Sequence, residues 1–341
     1  MGRLLVLAVL AAVIGLAGCR EERRILKIWS ATDAVAMQDL LDDFGRRNPD
    51  ITIQYTEFNT SELHAAVLAA EARSDVPRPD VVISSAMDLQ VDLVNHGLAE
   101  PIDVSTKGPD WANWRGELFG FTAEPVAVVY NVAAFEGRAL PQSRSELASM
   151  IRDDPAFFDG RVATYDITRS GVGYMFATQD AVRGYQSTRL VETLGRARSQ
   201  TFCCTGEMIA AVASGQARLA YNVIGSYAQA LVQDDPRLAL HFLSDYTLVF
   251  ARSAFVPHWT GAPQAATRFV DYLISPAGQG KIAEGSQLLP LSAVSGGGAA
   301  GEPNTSLSPI RMSPGLLTFL DKLKKERFLR DWRRSLFREV P

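Results

Sequence analysis

Arg169, Ser170 and Gly171 are the residues whose types and order best suit a chemical task. They lie within Ala163 to Asp180, read Ala-Thr-Tyr-Asp-Ile-Thr-Arg-Ser-Gly-Val-Gly-Tyr-Met-Phe-Ala-Thr-Gln-Asp, where a strand-like segment passes through a glycine turn into a helical one. A guanidinium, a hydroxyl and the unpaired N–H groups of a first helical turn then meet where the helix dipole is positive, which is an anion site in outline. The same residues also make an ordinary helix start, with Ser170 or Thr168 as cap. A second corner follows Arg218, where an apolar strand carrying Tyr221 and Asn222 runs into Gly225, Ser226 and Tyr227. In the first half of the chain, polar turns follow the strands: Thr32 and Asp33 after the first, Ser84 and Ser85 after the third. Glu124 precedes Pro125 at the head of a long apolar strand. The expected site is a rim of turns, with Thr32, Asp33, Ser84, Ser85 and Glu124 facing Arg169, Ser170, Gly171, Tyr221, Asn222, Ser226 and Tyr227. Each has a plainer role open to it: Ser84 and Ser85 as helix caps, Asp33 as an N-cap, Tyr221 as core.

Catalysis is not indicated. There is no Gly-x-Ser-x-Gly elbow and no histidine close to a candidate nucleophile, which leaves a secreted hydrolase as a remote alternative. His64, His96, His241 and His258 are scattered without metal-ligand spacing, and no metal or cofactor is expected. Cys203 and Cys204 are neighbours, with Cα atoms about 3.8 Å apart across a trans peptide, so an ordinary disulfide between them requires strain. They are expected to be reduced or inert and to play no part in binding; a strained redox pair is the sharper alternative.

The 341 residues allow two domains with real cores. A formal charge of -4 supplies no basic field for nucleic acid, which is excluded as a partner. Ile25–Trp29, Ile51–Phe58 and Pro79–Ile83 read as strands, each followed by a polar turn and a helix, a succession that predicts a parallel α/β sheet with its ligand at the carboxyl ends of the strands. Glu124–Asn131 and Tyr246–Ala251 break the rhythm and are expected to cross between domains as a hinge. The predicted organisation is 25–124 with 247–295 as the first lobe, 125–246 with 310–341 as the second, and 296–309 as a glycine-rich flexible loop. The terminal stretch from Pro314 is amphipathic, with Leu316, Leu320, Leu323, Phe328, Trp332 and Leu336 expected inward.

Arg3 precedes an apolar run from Leu4 to Ile14, too short to span a bilayer and shaped like a signal peptide over residues 1–18. Leu16-Ala17-Gly18-Cys19 resembles a lipobox, which implies acylation of Cys19, a short lipidated tether over 19–24 and a membrane anchor outside the cytoplasm. With that lipobox, Pro79-Asp80-Val81-Val82, Glu124 to Asn131, Ser214-Gly215-Gln216-Ala217 and Ser275-Pro276-Ala277-Gly278-Gln279 resemble, in their order, the bacterial extracellular solute-binding proteins of ABC importers. The nearest branch holds ferric-ion, hexose-phosphate and aminoethylphosphonate binders and the phosphoglycerate-regulatory type. The resemblance implies a two-lobe periplasmic binding protein fold, type II-like, hinged on two crossing strands and closing on a solute. The partner it implies is an ABC permease, or a histidine-kinase receptor if the role is sensory. Ferric binders of this branch use two adjacent tyrosines, whereas Tyr221 to Tyr227 offers no adjacent pair. Hydroxyls, amide donors and Arg169 suit a small anionic solute better, a phosphate ester, phosphonate or carboxylate, with Fe(III) as the alternative.

Overall fold

The computed structural model describes residues 24–73, 75–285, 287–294 and 306–337. The expected signal peptide, Cys19 and most of the 296–309 loop lie outside the described residues. The elements run β1 (Arg24–Ser30), α1 (Ala34–Arg47), β2 (Ile51–Glu57), α2 (Thr60–Ala72), β3 (Val81–Ser84), α3 (Met87–Asn95), β4 (Asn113–Trp114), β5 (Leu118–Gly120) and β6 (Glu124–Asn131). Then come α4 (Arg144–Asp153), α5 (Pro155–Phe158), β7 (Val162–Tyr165), α6 (Gly171–Ala181), α7 (Gln186–Arg196), β8 (Gln200–Phe202), α8 (Thr205–Ala213), β9 (Leu219–Ile224) and α9 (Gly225–Asp234). The chain closes with β10 (Leu238–His241), β11 (Thr247–Phe250), β12 (Ser253–Phe255), α10 (Pro263–Ile274), α11 (Pro276–Ala283), β13 (Leu307–Pro309) and α12 (Lys322–Leu336). No helix among the described residues is long and apolar enough to cross a membrane.

Two sheets result, ordered β2-β1-β3-β12-β5-β4 and β13-β11-β6-β9-β7-β8, with β10 also pairing β6. In the first, β1 runs parallel to β2 and β3, so the turns after all three open on one edge. In the second, β7 runs parallel to β8 and β9, which aligns the turns before α6, α8 and α9 in the same way. Leu26, Ile28, Met37, Leu40 and Phe44 pack with Phe269 and Leu273 of α10 as the core of the first lobe. The core of the second, around Val129, Phe176 and Val223, continues into Met87 and Val91 of α3, so the two lobes share apolar contact.

Two antiparallel segments connect the sheets. β5 pairs with β12 in the first sheet and β6 with β11 in the second, while the Phe121 N–H donates to the Arg252 carbonyl between them at 2.9 Å. Thr247–Phe250, expected from the sequence to open the returning part of the first lobe, thus hydrogen-bonds into the second sheet: Val249 and Phe250 face Pro125 and Glu124. The crossing comes after Phe250 because Arg252 is held at the boundary. Where the flexible loop was expected to end, Leu307–Pro309 is a strand beside β11. Near the C-terminus, Leu316, Trp332 and Leu336 are buried but Leu323 is 75% exposed, since a 3-10 turn over Pro314–Phe319 shifts the helical phase that a continuous helix would have kept.

Candidate functional site: the cleft between the lobes

A cavity of about 370 Å³ lies between the two sheets, walled by both lobes and floored by Arg252 at the hinge. Its size falls in the usual range for small-molecule sites, roughly 300 to 1,000 Å³. The lobes touch beside it. The N–H groups of Gly171 and Val172 donate to the Thr60 hydroxyl at 2.9 and 3.3 Å, joining the start of α6 to the start of α2. A side chain at Gly171 would put a Cβ 2.8 Å from both Leu89 Cδ1 and Thr60 Oγ1, and those side chains would have to shift to admit it.

The floor is a buried ion pair. Arg252, 1% exposed, donates from Nε to Glu124 Oε1 at 2.8 Å and from Nη1 to Thr32 Oγ1 at 2.9 Å. Ser226 Oγ donates to the other oxygen of Glu124. Burial by itself would lower the Arg252 pKa, but the Glu124 carboxylate more than offsets this and holds the guanidinium charged. The guanidinium lies 4.7 Å from the Tyr227 ring centroid. Burial pushes the Tyr227 hydroxyl up to about 12 against the opposing pull of Arg252, with Asp33 and Glu124 adding to the rise. Tyr165, whose hydroxyl is hydrogen-bonded with Thr205 Oγ1, is raised by burial as well.

The first-lobe wall presents Asp33, Glu57, Glu62, Phe58 and Ser85. Two of its carboxylates already serve helix starts: Glu57 accepts from the Ala34 N–H of α1, and Glu62 completes a capping box with Asn59 on α2. Asp33 occupies the N-cap position of α1 without a side-chain cap bond. The Phe58 ring rests on Trp29 at a centroid distance of 5.2 Å.

The second-lobe wall carries Arg169, Ser170, Tyr227 and the start of α8. Ser170 caps α6 through the Gly173 N–H at 3.1 Å, so the first turn of this helix is spent on Ser170 and Thr60. Arg169 is exposed and its side chain makes no hydrogen bond or ion pair with any described residue. No side chain caps α8, whose Thr205 and Gly206 also line the cavity. Cys203 and Cys204 lead into that helix, and here the reduced state expected from the sequence is overturned. They are bonded to each other, and they stand on the cavity wall. Among the described residues, the grouping of metal-ligating side chains is Cys203, Cys204 and Glu207, with donor atoms within 4.8 Å. Its sulfurs are committed to the disulfide and supply no thiolate.

Of the residues expected from the sequence, Asp33, Ser85, Arg169, Ser170 and Tyr227 line this cavity together. Thr32, Glu124 and Ser226 are buried behind it, bonded into the hinge pair. Ser84 is buried too, its hydroxyl accepting from the Ala86 N–H at 3.2 Å, as a turn residue does. Gly171 is the lobe contact described above. Tyr221 and Asn222 point the other way: the Tyr221 hydroxyl and Asn222 Nδ2 each donate to Asp180 Oδ2 at 2.8 Å, inside the second lobe. A φ of 62° at Asn222, in the left-handed region that Asn tolerates, belongs to this inward arrangement. Arg252, Thr60, Phe58 and the cysteine pair were not foreseen as site residues. One signal for Arg252 was available, because a lone arginine in the apolar run Leu248 to Val256 demands a buried partner.

Residues 39–300 match the family model described as bacterial extracellular solute-binding protein. The fold is similar to the substrate-binding protein of an ABC transporter from Agrobacterium tumefaciens, at 29% identity and a TM-score of 0.84, over 94% of this chain and 96% of that one. It is also similar to iron-bound HitA from Pseudomonas aeruginosa, at 18% identity and a TM-score of 0.71, over 92% and 99%. A third likeness is to the periplasmic binding protein AfuA from Actinobacillus pleuropneumoniae with fructose-6-phosphate bound, at 16% identity and a TM-score of 0.68, over 92% and 99%. No curated protein matches the chain.

Proposed function

The chain belongs to the bacterial extracellular solute-binding proteins, and from that premise we propose that it captures a small anionic solute between its lobes and delivers it to an ABC permease. The solute is a phosphate ester, phosphonate or carboxylate. What carries this reading is Arg169, an exposed guanidinium on the cavity wall with no partner among the described residues, in a site that also holds the uncapped start of α8. A solute anion satisfies both, as a carboxylate or phosphate does at any helix start beside an arginine. Direct capture of Fe(III) is disfavoured by the tyrosines. The stretch Tyr221 to Tyr227 offers no adjacent pair, and the Tyr221 hydroxyl is spent on Asp180 inside the second lobe.

Calorimetry with a panel of phosphorylated and carboxylated metabolites tests the proposal. Charge-assisted bonds worth roughly 1.5 to 3 kcal/mol each make Arg169→Ala weaken binding by about tenfold or more. Tight Fe(III) binding with a tyrosinate charge-transfer band, unaffected by Arg169→Ala, would replace the anion reading with an iron carrier. The lipobox-like Leu16-Ala17-Gly18-Cys19 supports anchoring through an acylated Cys19. Cys19→Ser should then move the protein from the membrane fraction to the soluble one, and unchanged partition would overturn the anchor.

A further inference from the structure

A disulfide between neighbouring residues staples no elements together. The stabilisation a cross-link gives grows with the length of the loop it closes, and Cys203 and Cys204 are separated by one position. What the bond does is local: it replaces two mobile thiol side chains by one fixed sulfur surface. That surface is placed on the cavity wall, with Cys203 half-buried and Cys204 exposed. Cys204 also holds the N-cap position of α8, where a Ser, Thr, Asp or Asn would otherwise cap the helix and leave its first amides less open to a ligand. Phe58, braced by Trp29, lines the same cavity from the first lobe, and Ile224 and Val172 add apolar surface from the second. The volume bears on the cargo as well. At about 30 Å³ per water, 370 Å³ equals about twelve waters, far more than a bare oxyanion fills.

We propose that the Cys203–Cys204 disulfide is a ligand-contacting wall of the cleft, which with Phe58 holds a ring in the carbon part of the solute. The cargo is then a cyclic organic anion, its charge on Arg169 and the start of α8 and its ring face between soft, polarizable sulfur and the Phe58 ring. This inference rests on the anion reading given above. The wall needs an oxidising compartment to persist, and the extracellular family of this chain supplies one.

The test uses three probes: phenyl phosphate, inorganic phosphate and benzyl alcohol, titrated by calorimetry into the full chain. Phenyl phosphate is expected to bind about tenfold or more tightly than inorganic phosphate, an apolar contact on top of a shared charge contact. In Cys203→Ala/Cys204→Ala, which removes the sulfurs without adding a side chain that caps α8, that preference should fall to within about threefold with inorganic phosphate itself unchanged. Dithiothreitol on the unmutated protein should reproduce the loss, which keeps the test valid if the double variant folds poorly. Equal binding of the two phosphates, or a preference that survives both treatments, overturns the sulfur wall and leaves the anion reading in place. Disulfide-dependent binding of benzyl alcohol with neither phosphate bound supports the wall and overturns the anion reading. Failure of all three probes to bind overturns both.

Discussion

The cleft and the polar cluster behind it in the second lobe are made of the same residue types and behave oppositely. In the cluster, Arg144 donates from Nε to the Tyr221 hydroxyl at 2.8 Å and from Nη1 to Asp245 Oδ1 at 2.9 Å. Asp180 accepts from Tyr221, Asn222 and Tyr246 at 2.7 to 2.8 Å. Arg144 is 2% exposed, and its guanidinium lies 3.5 Å from the Tyr246 ring centroid. Burial alone would lower its pKa, but the phenols and carboxylates around it raise the net value and keep it charged. In the cleft, by contrast, Arg169 has no partner among the described residues, and Asp33 is exposed without a cap bond. An arginine among tyrosines and carboxylates is therefore no mark of a binding site. What marks one is hydrogen-bonding capacity left open toward a cavity, because a fully satisfied buried network gains nothing from a solute.

The largest expected effect falls on the cluster. Arg144→Ala leaves the buried Asp180 without its cation and should destabilise the fold by about 3 to 5 kcal/mol, read by urea denaturation. A loss below about 1 kcal/mol, the level of an exposed pair, would erase the distinction drawn between the two regions. Next comes Asp88, at the start of α3 where the lobes meet, fully buried and pushed up to about 7 mainly by burial. Its folded pKa lies above the unfolded value of 3.8, so the native state holds a proton that the unfolded state has released between about pH 4 and 7. This contribution to stability is full below that window and is lost as pH rises through it. Asp88→Asn should flatten the corresponding slope in a pH series of denaturation midpoints, and an unchanged slope would assign it to another group.

Gly171→Ala sharpens the comparison from the side of the cleft. The added Cβ meets the Leu89 and Thr60 side chains at 2.8 Å, so these must shift and the Thr60 bond that joins the lobes is disturbed. Solute affinity should fall about tenfold or more because closure is impeded, with a small change in denaturation midpoint. Small-angle scattering should report a more open molecule. The smallest stability effect belongs to Arg169→Ala, expected within about 0.5 kcal/mol because the side chain is exposed and unpartnered. An Arg169 variant that destabilised the fold as strongly as Arg144→Ala would make it structural.

Much of the fold was legible because periodicity and turn chemistry are local. Strand, polar turn and helix follow one another from Ile25 to Asn95, and that order predicts parallel pairing with the turns on one edge. The helix start at Ser170 could be read from its capping pattern for the same reason. The direction of a side chain at the end of a strand is a different matter, since it depends on where the strand crosses between sheets. The crossing at Phe250 to Ser253 brings Arg252 against Glu124 and Thr32 and thereby removes two expected ligand residues from the cavity wall. The left-handed turn at Asn222 sends it and Tyr221 to Asp180, more than forty positions away in sequence, while Tyr227, a few residues on, reaches the cleft.

Composition, order of elements and the family's motifs were thus determined by the sequence alone, since each is carried by neighbours along the chain. Tertiary structure decided which polar groups meet. The partners of Gly171, Arg252 and Asp180 lie from 41 to 220 positions away, and pairing over such distances is settled by packing rather than by local preference. The cysteine pair shows the same division: adjacency in sequence argued against a bond, and only the tertiary structure shows the sulfurs joined and set on the cavity wall.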